Sequence, residues 1–259
     1  MKLNIVPART GIQWVKSGVM TFLKQPLAMA GLFFMFLATM TILSIVPLIG
    51  SLLALCLLPA ATLGLIAATE IAIKGKFPMP SVMLTAFRAD KPRVKAMWIL
   101  GGLYALGFLA MMAITAAVDD GQFAKMYLGG GNLSREQVMQ ADFQTALWIG
   151  MAMYLPLSMA FWHAPALVHW QGMAPVKSLF FSFFACLKNF RAFLVFGVVW
   201  LGLFMGVGMA ITTLAALLGG PAAAAAAIFP AAMLMAAMFF TSIYFTIKDC
   251  FDTNEGINP

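Results

Sequence analysis

Long apolar segments alternate along this chain with short segments that carry nearly all of its polar and charged residues. The first long segment, Leu27 to Val46, is uncharged throughout. As a helix it spans about 30 Å, which matches the hydrocarbon thickness of a bilayer. Five more segments of similar length lie at about 51–73, 96–118, 143–170, 192–218 and 222–247. The pattern predicts six transmembrane helices.

The connections on one side of these segments are of two kinds. Pro47 to Gly50 and Gly219 to Pro221 are predicted to be tight turns, because proline and glycine favour chain reversal. The third connection, 119–142, is acidic and is interrupted by three glycines, Gly129 to Gly131. It lacks the Lys-Ser/Thr pair of a phosphate-binding loop, so we expect a flexible loop.

Local signals predict where some helices begin and bend. Thr10 with Gln13, and Ser134 with Gln137, have the spacing of a capping box that starts a helix. Trp14 follows the first of these, and we expect it at the headgroup level, where tryptophan is enriched. Kinks are expected at the prolines of the fourth apolar segment, Pro156 and Pro165.

Three shorter segments, each preceding a pair of apolar segments, have polar residues at helical spacing. In the third, Ser178, Ser182 and Asn189 fall on one line, while phenylalanine and leucine cover the rest of the surface. Segments 10–25 and 78–95 carry hydroxyl residues at the same spacing, namely Ser17 with Thr21 and Ser81 with Thr85. The pattern predicts three amphipathic helices that lie in the membrane surface.

The predicted fold is an all-α integral membrane protein, a single polytopic domain built from three units. Each unit is one interfacial amphipathic helix followed by a transmembrane hairpin, at about 8–76, 77–171 and 172–248. Because every unit begins and ends on the same side, these are expected to be parallel repeats. The alternative is that interfacial helices with a polar line resemble one another without duplication. Residues 249–259 are predicted to be a disordered tail.

The composition excludes a water-soluble fold. Hydrophobic residues make up 63% of the chain and charged residues 10%, and the mean hydropathy is +0.94, so the medium is lipid. The net charge of +7 does not indicate nucleic acid, because the basic residues sit at the ends of apolar segments and not on one soluble face.

The basic residues also predict the topology. With six spans, all of the 16 lysines and arginines except Lys125 and Arg135 fall on one side. The positive-inside rule then places both termini in the cytoplasm. The expected partner is the anionic headgroup layer of that side, bound by Lys16, Lys24, Arg88, Lys177, Lys188 and Arg191.

The run Phe161 to Trp170 follows the pattern aromatic-Ala-Pro-x-Leu-Val-x-Trp except at His163, where an aromatic or small residue is more usual, and Lys177 to Phe183 follows Lys-x-Leu-Phe-Phe-Ser-Phe. These two stretches resemble a family of uncharacterised six-span inner-membrane proteins of Gram-negative bacteria. The turn Val46 to Gly50 and the segment Pro59 to Gly64 are similar to the first half of that family. The resemblance implies a multi-pass protein of the bacterial inner membrane and implies no activity.

Few ionisable residues lie within the apolar segments, and such residues are functional candidates by default. Glu70 is four residues before Lys74, so the alternatives are a helical ion pair and a substrate or proton site. His163 lies in the fourth segment, where it is either a packing histidine or a ligand. His169 is expected to be about 120° from His163 around the helix, which does not make a metal pair.

Other residue patterns have a structural interpretation. Gly202, Gly206 and Ala210 form a line of small residues that predicts close helix packing. The 21 methionines raise copper handling as an alternative, but their scatter favours a filling role in apolar cores. The three cysteines are predicted to be reduced. No metal site and no cofactor are expected.

The sequence favours a protein without catalytic activity that serves as a scaffold, accessory or assembly partner of a membrane complex. Its partners would be anionic phospholipid and either another membrane protein or further copies of itself. The first alternative is a transporter of a small solute or lipid with a cavity between the repeats. An intramembrane enzyme is a more distant alternative, since no known catalytic motif is present.

Overall fold

The structure, a computed structural model, describes residues 3–47, 49–129 and 134–251, and nearly all of them are helical. A 3-10 helix, Pro80–Phe87, lies between the third and fourth α-helices. The α-helices of this described part are α1 (Thr10–Lys24), α2 (Pro26–Ser44), α3 (Gly50–Ile73), α4 (Lys91–Asp119), α5 (Gln122–Gly129), α6 (Arg135–Val138), α7 (Ala141–Trp162), α8 (Ala164–Gln171), α9 (Pro175–Lys188) and α10 (Phe190–Cys250).

Five helical stretches within the described residues are long and apolar enough to cross a membrane. They are α2, α3, α4, α7 together with α8, and α10. The helical, membrane-type fold predicted from the hydrophobic pattern is therefore confirmed. Because no water is available inside a bilayer, helices of this kind satisfy their own backbone groups.

The last stretch, α10, is one continuous helix of 61 residues except at Gly220, where φ is 74° and ψ is −172°. This break falls in the predicted turn. On either side of it, Trp200 Nε1 donates to Ser242 Oγ at 3.2 Å, and the rings of Phe196 and Phe239 lie 5.6 Å apart. Residues 20 and 24 positions before Gly220 therefore meet residues 22 and 19 positions after it, so the two halves of α10 run antiparallel.

Contacts divide the chain into two compact units. The first unit contains the chain up to Thr39, Ala61–Ala89 and the chain from Ala185 onward, and the second contains Met40–Ala60 and Asp90–Phe184. The three repeats at about 8–76, 77–171 and 172–248 stay a prediction.

In the first unit, α1 packs against both halves of α10. A Cβ at Gly11 would collide with the backbone of Ala192, and a Cβ at Gly18 would lie 2.7 Å from Ser242 Cα. Trp14 is 1% exposed, and its Nε1 donates to Asp249 Oδ2 at 2.8 Å. Trp14 therefore contacts protein, because its indole N–H finds its acceptor inside the chain, and its location at the headgroup level stays a prediction.

The extended N-terminal segment is held against the C-terminal end of α10. Asn4 N donates to Cys250 O at 2.9 Å, and Leu3 forms an antiparallel bridge with Phe251. Asn189, between α9 and α10, accepts from Val6 N at 2.8 Å and donates to Asn4 O at 3.0 Å. The disordered tail predicted from residue 249 is thus ordered to 251, and 252–259 lie outside the described residues.

The polar line of α9 faces the protein interior. A helix that lies in a membrane surface turns its polar line to the headgroups, but Ser178, Ser182 and Asn189 are at most 2% exposed. The exposed side of α9 carries apolar residues such as Val176 and Phe180 as well as its lysines. The orientation predicted for this helix is therefore wrong, because its hydroxyl and amide groups bond within the chain instead.

The second predicted surface helix, 78–95, is also different. Only Pro80–Phe87 is helical in its first part, and it is a 3-10 helix. With three residues per turn, residues four apart do not share a line, so Ser81 is exposed while Thr85 bonds to Val82 O. Helix α4 then begins at Lys91, several residues before the predicted span.

The two predicted capping boxes have opposite outcomes. The N-cap of α1 is Arg9, which makes no side-chain capping bond, so Thr10 is already a helical residue. At α6, Ser134 accepts from Gln137 N at 3.2 Å, and Gln137 accepts from Ser134 N at 2.8 Å. The capping box there is confirmed.

In the second unit, α4 packs closely against α3 and α7. Gly101 faces the carbonyl of Cys56, which a Cβ would overlap, and the rings of Tyr104 and Phe161 lie 5.0 Å apart. At its end, Asp119 is 2% exposed, and its carboxylate accepts from Phe123 N at 2.7 Å. This carboxylate starts α5 and holds it against α4.

Candidate functional site

His163 lies at the break between α7 and α8. Pro165, within the first turn of α8, cannot donate to a carbonyl of the preceding turn, so the helix opens there. The Ser182 hydroxyl of α9 enters this gap: it accepts from His163 N at 2.9 Å and donates to Met159 O at 2.8 Å. A side chain therefore replaces one helical hydrogen bond, which is a known cause of helix bending.

This arrangement supports the packing interpretation of His163. The residue is 0% exposed, and neighbouring residues Ala164 to Val168 are buried with it. A histidine that relays protons or binds substrate needs access to a water-filled path, and His163 is not among the residues that line the cavity described below.

Glu70 forms the ion pair predicted from its spacing. Its Oε1 lies 2.9 Å from Lys74 Nζ, and the side chains are 21% and 59% exposed respectively. The helical ion pair is confirmed. A pair this exposed contributes little stability.

The six basic candidates for headgroup binding are all exposed. Lys177 Nζ lies 5.9 Å from the ring centre of Phe181, and the Arg191 guanidinium lies 5.9 Å from that of Phe190. Lys24 Nζ is 3.5 Å from Ile73 O. Cations beside exposed aromatic rings suit the headgroup layer, and their binding to lipid remains a prediction.

The predicted packing line on α10 is exposed in the described part of the chain: Gly202, Gly206 and Ala210 all lie at its surface. A Cβ at either glycine would have no neighbour within 4 Å. Close helix packing is found at Gly18 and Gly101. A glycine within a helix is the same local signal at all four positions, so the sequence alone did not separate the buried glycines from the exposed ones.

A cavity of about 560 Å³ lies in the second unit. No local pattern in the sequence predicts it. It is formed by the end of α2, the start of α3, the middle of α4 and the end of α5. It is lined by Met40, Thr41, Ser44, Ile45, Ser51, Ala54, Leu55, Leu58, Phe108, Tyr127 and Leu128. These residues are uncharged, and neither Glu70 nor His163 is among them.

The cysteines and acidic residues suggest no further site. Cys186 and Cys250 are buried, and burial raises the pKa of the Cys186 thiol, which keeps it protonated and unreactive. Among the described residues, no three histidine, cysteine, aspartate or glutamate side chains are grouped so that they could hold a metal ion.

A probable inner membrane protein of Burkholderia thailandensis is 38% identical to this chain over 262 residues, and the alignment covers the whole chain and 97% of the relative. The chain belongs to the family of this protein. No protein-family model and no solved structure matches the chain. Full-length similarity to a probable inner membrane protein and five apolar helices agree with the predicted membrane protein.

The Ser182 hydroxyl supplies a testable prediction. Replacing it in Ser182→Ala leaves His163 N and Met159 O without their shared partner inside an apolar environment, so the free energy of unfolding should fall by about 1–3 kcal/mol. The matched control is Ser158→Ala, whose hydroxyl bonds only to Leu155 O in its own helix. Thermal unfolding in detergent measures both. Equal stability of the two variants would contradict a bracing role for Ser182.

Proposed function

We propose that this chain is a six-span protein of the bacterial inner membrane that acts without catalysis, as a scaffold, accessory or assembly partner of a membrane complex. The observation that carries the proposal is the outward face of the molecule. The polar line of α9 is buried, while the described lysines and arginines and a line of small residues on α10 are exposed. The exposed groups are suited to lipid headgroups and to another helix.

The break at Gly220 supports six spans. If each half of α10 crosses the bilayer, the two halves add two spans to the four preceding ones. The total is then six, an even number, so the chain begins and ends on the same side. Both termini and the basic residues then share one side, which the positive-inside rule makes the cytoplasm. The length of α10 supports this, because 61 residues as a straight helix would extend about 90 Å, three times the hydrocarbon thickness.

A recurring contact supports three parallel repeats. In each predicted repeat, the short element that precedes the transmembrane hairpin contacts the second span of a hairpin. Gly18 of α1 meets Ser242 of α10, Met83 of the 3-10 helix meets Gly64 of α3, and Ser182 of α9 bonds to Met159 of α7. Each of these second spans also contains a proline, namely Pro59, Pro156 and Pro230.

The uncovered face of α10 supports a protein partner or a second copy of this chain. Small residues let helix backbones approach, which is the main source of helix association in lipid. Gly202 and Gly206 have open space beside them, and the half-helix that carries them also exposes Met205 and Met209. A partner helix would cover this face.

The transporter alternative has one observation in its favour. The cavity lies between α2 and α3 of the first predicted repeat and α4 and α5 of the second. However, the candidate coupling residues Glu70 and His163 do not line it, so ion-coupled transport through them lacks support. We therefore place transport second.

The six-span topology can be tested with single cysteines in a cysteine-free background. Lys125→Cys should react with a membrane-impermeant thiol reagent added from the periplasm. Lys177→Cys and Lys248→Cys should react only after the membrane is opened. All three positions are exposed, but Lys125 is predicted on the periplasmic side and the other two on the cytoplasmic side. Labelling of Lys248→Cys together with Lys125→Cys would mean that α10 crosses once, and would overturn the topology.

Headgroup binding can be tested by charge reversal on α9. Lys177→Glu and Lys188→Glu should each weaken the binding of fluorescent anionic phospholipid to the purified protein by about 1 kcal/mol, or roughly fivefold, at low salt. Lys125→Glu is the control, since it makes the same charge change on the predicted opposite side. If the control and the α9 variants lose affinity equally, the site is not on α9.

The partner face can be tested by filling it. Gly206→Leu should reduce the assembly extracted from native membranes in mild detergent to the single chain. Gly197→Leu is the control, because Gly197 also lies in open space on α10 but is about 180° from Gly206 around the helix. Size-exclusion chromatography with light scattering measures the mass. A wild-type protein that elutes as one copy without any partner would contradict the proposal.

A further inference from the structure

We propose that the cavity between α2, α3, α4 and α5 is a binding site for one hydrocarbon chain of a diester phospholipid, with the ester region held by hydroxyl groups at its rim. This site is separate from the headgroup binding proposed for α9, because no residue of α9 lines it.

The inner wall of the cavity is built for hydrocarbon. Leu55 and Leu58 of α3 and Phe108 of α4 line it, and Phe108 belongs to a buried cluster that also contains Phe123 and Phe143. Every lining residue is uncharged, so a charged ligand group would enter without a counter-ion, at a high cost in low dielectric. The chemistry of the wall therefore selects an apolar chain.

The outer wall is open and carries hydroxyl groups. Thr41 and Ser44 of α2 are exposed, Ser51 of α3 is half-buried, and Tyr127 of α5 is 60% exposed. The Ser44 hydroxyl already donates to Thr41 O at 2.8 Å. In the described part of the chain, the Thr41 and Ser51 hydroxyls have no hydrogen-bond partner, so these two donors are available to a ligand.

The two walls together specify the ligand. Hydroxyl donors at the rim fit uncharged acceptors such as ester carbonyls, and the apolar wall below them fits the chain that those esters carry. Because α2, α3 and α4 are long and apolar enough to cross a membrane, the open side gives access from lipid. A diester phospholipid has this order of groups and is already present at that surface.

The volume favours a lipid chain over a peptide. A cavity of about 560 Å³ is within the usual range of small-molecule sites, about 300–1,000 Å³. The cavity has room for little more than one turn of an α-helix, which is about 10 Å across. A partner helix would therefore gain little contact there, whereas a flexible chain fits.

The test uses the full-length protein in bilayer discs made of zwitterionic diester lipid, with a small fraction that carries a photoreactive diazirine on one acyl chain. Mass spectrometry maps the labelled residues. We expect label on the lining residues of α2, α3 and α5 above the level found on other exposed helix faces. Uniform label on all spans would mean annular lipid only and would overturn the proposal.

Two kinds of variant make the test specific. Ala54→Trp fills the cavity and should abolish the enriched label, while Ala117→Trp, at an exposed position of α4 outside the lining, should leave it unchanged. Thr41→Val combined with Ser51→Ala keeps the volume but removes both donors. It should lower retention of a diester lipid by about fivefold or more, with no change for the diether analogue.

The outcomes remain informative if Ala54→Trp fails to fold, because the hydroxyl variant does not depend on it. Equal loss of ester and ether lipid in that variant would overturn the role of the hydroxyl groups. Retention that survives Ala54→Trp in a folded protein would overturn the site itself. Charge reversal at Lys177 should have no effect on this lipid, which separates this proposal from the one for α9.

Discussion

The need to satisfy polar groups without water is the constraint on which this structure depends. Each unpaired donor or acceptor inside an apolar medium costs several kcal/mol. The chain meets this cost in α9 by turning the polar side of the helix inward. Ser182 bridges His163 and Met159, and Asn189 bonds to the backbone of the N-terminal segment. The apolar sides are left to face lipid.

The same constraint explains which residues are available for function. Once the serines and Asn189 are committed to internal bonds, the exposed groups of α9 are its lysines and aromatic rings. His163, a candidate substrate or proton site in the sequence, is fully buried at the helix break that Ser182 stabilises. The hydroxyls of Thr41 and Ser51 stand apart, because they have no such commitment. Function in this protein is therefore to be sought at surfaces that contact lipid.

How much the sequence could predict depended on the range of the interaction. The capping box of Ser134, the pair of Glu70 with Lys74 and the break at Gly220 are local, and each was predictable from spacing. Spacing shows that Ser178 and Ser182 share a face, but not what that face contacts. Gly101 and Gly202 give the same local signal, yet only Gly101 meets another helix. The cavity has no local signal at all, since its lining comes from four helices.

The contacts between the two ends of the chain also bear on how the protein is made. Helix α1 has its packing partner in α10, and Leu3 pairs with Phe251, so residues early in the chain are held by residues that are synthesised much later. During translation α1 must wait, with its Trp14 side uncovered, until the hairpin formed by α10 has entered the bilayer. Completion of the first unit therefore depends on the synthesis of α10, and a chain cut short before Asp249 leaves the indole of Trp14 without its acceptor.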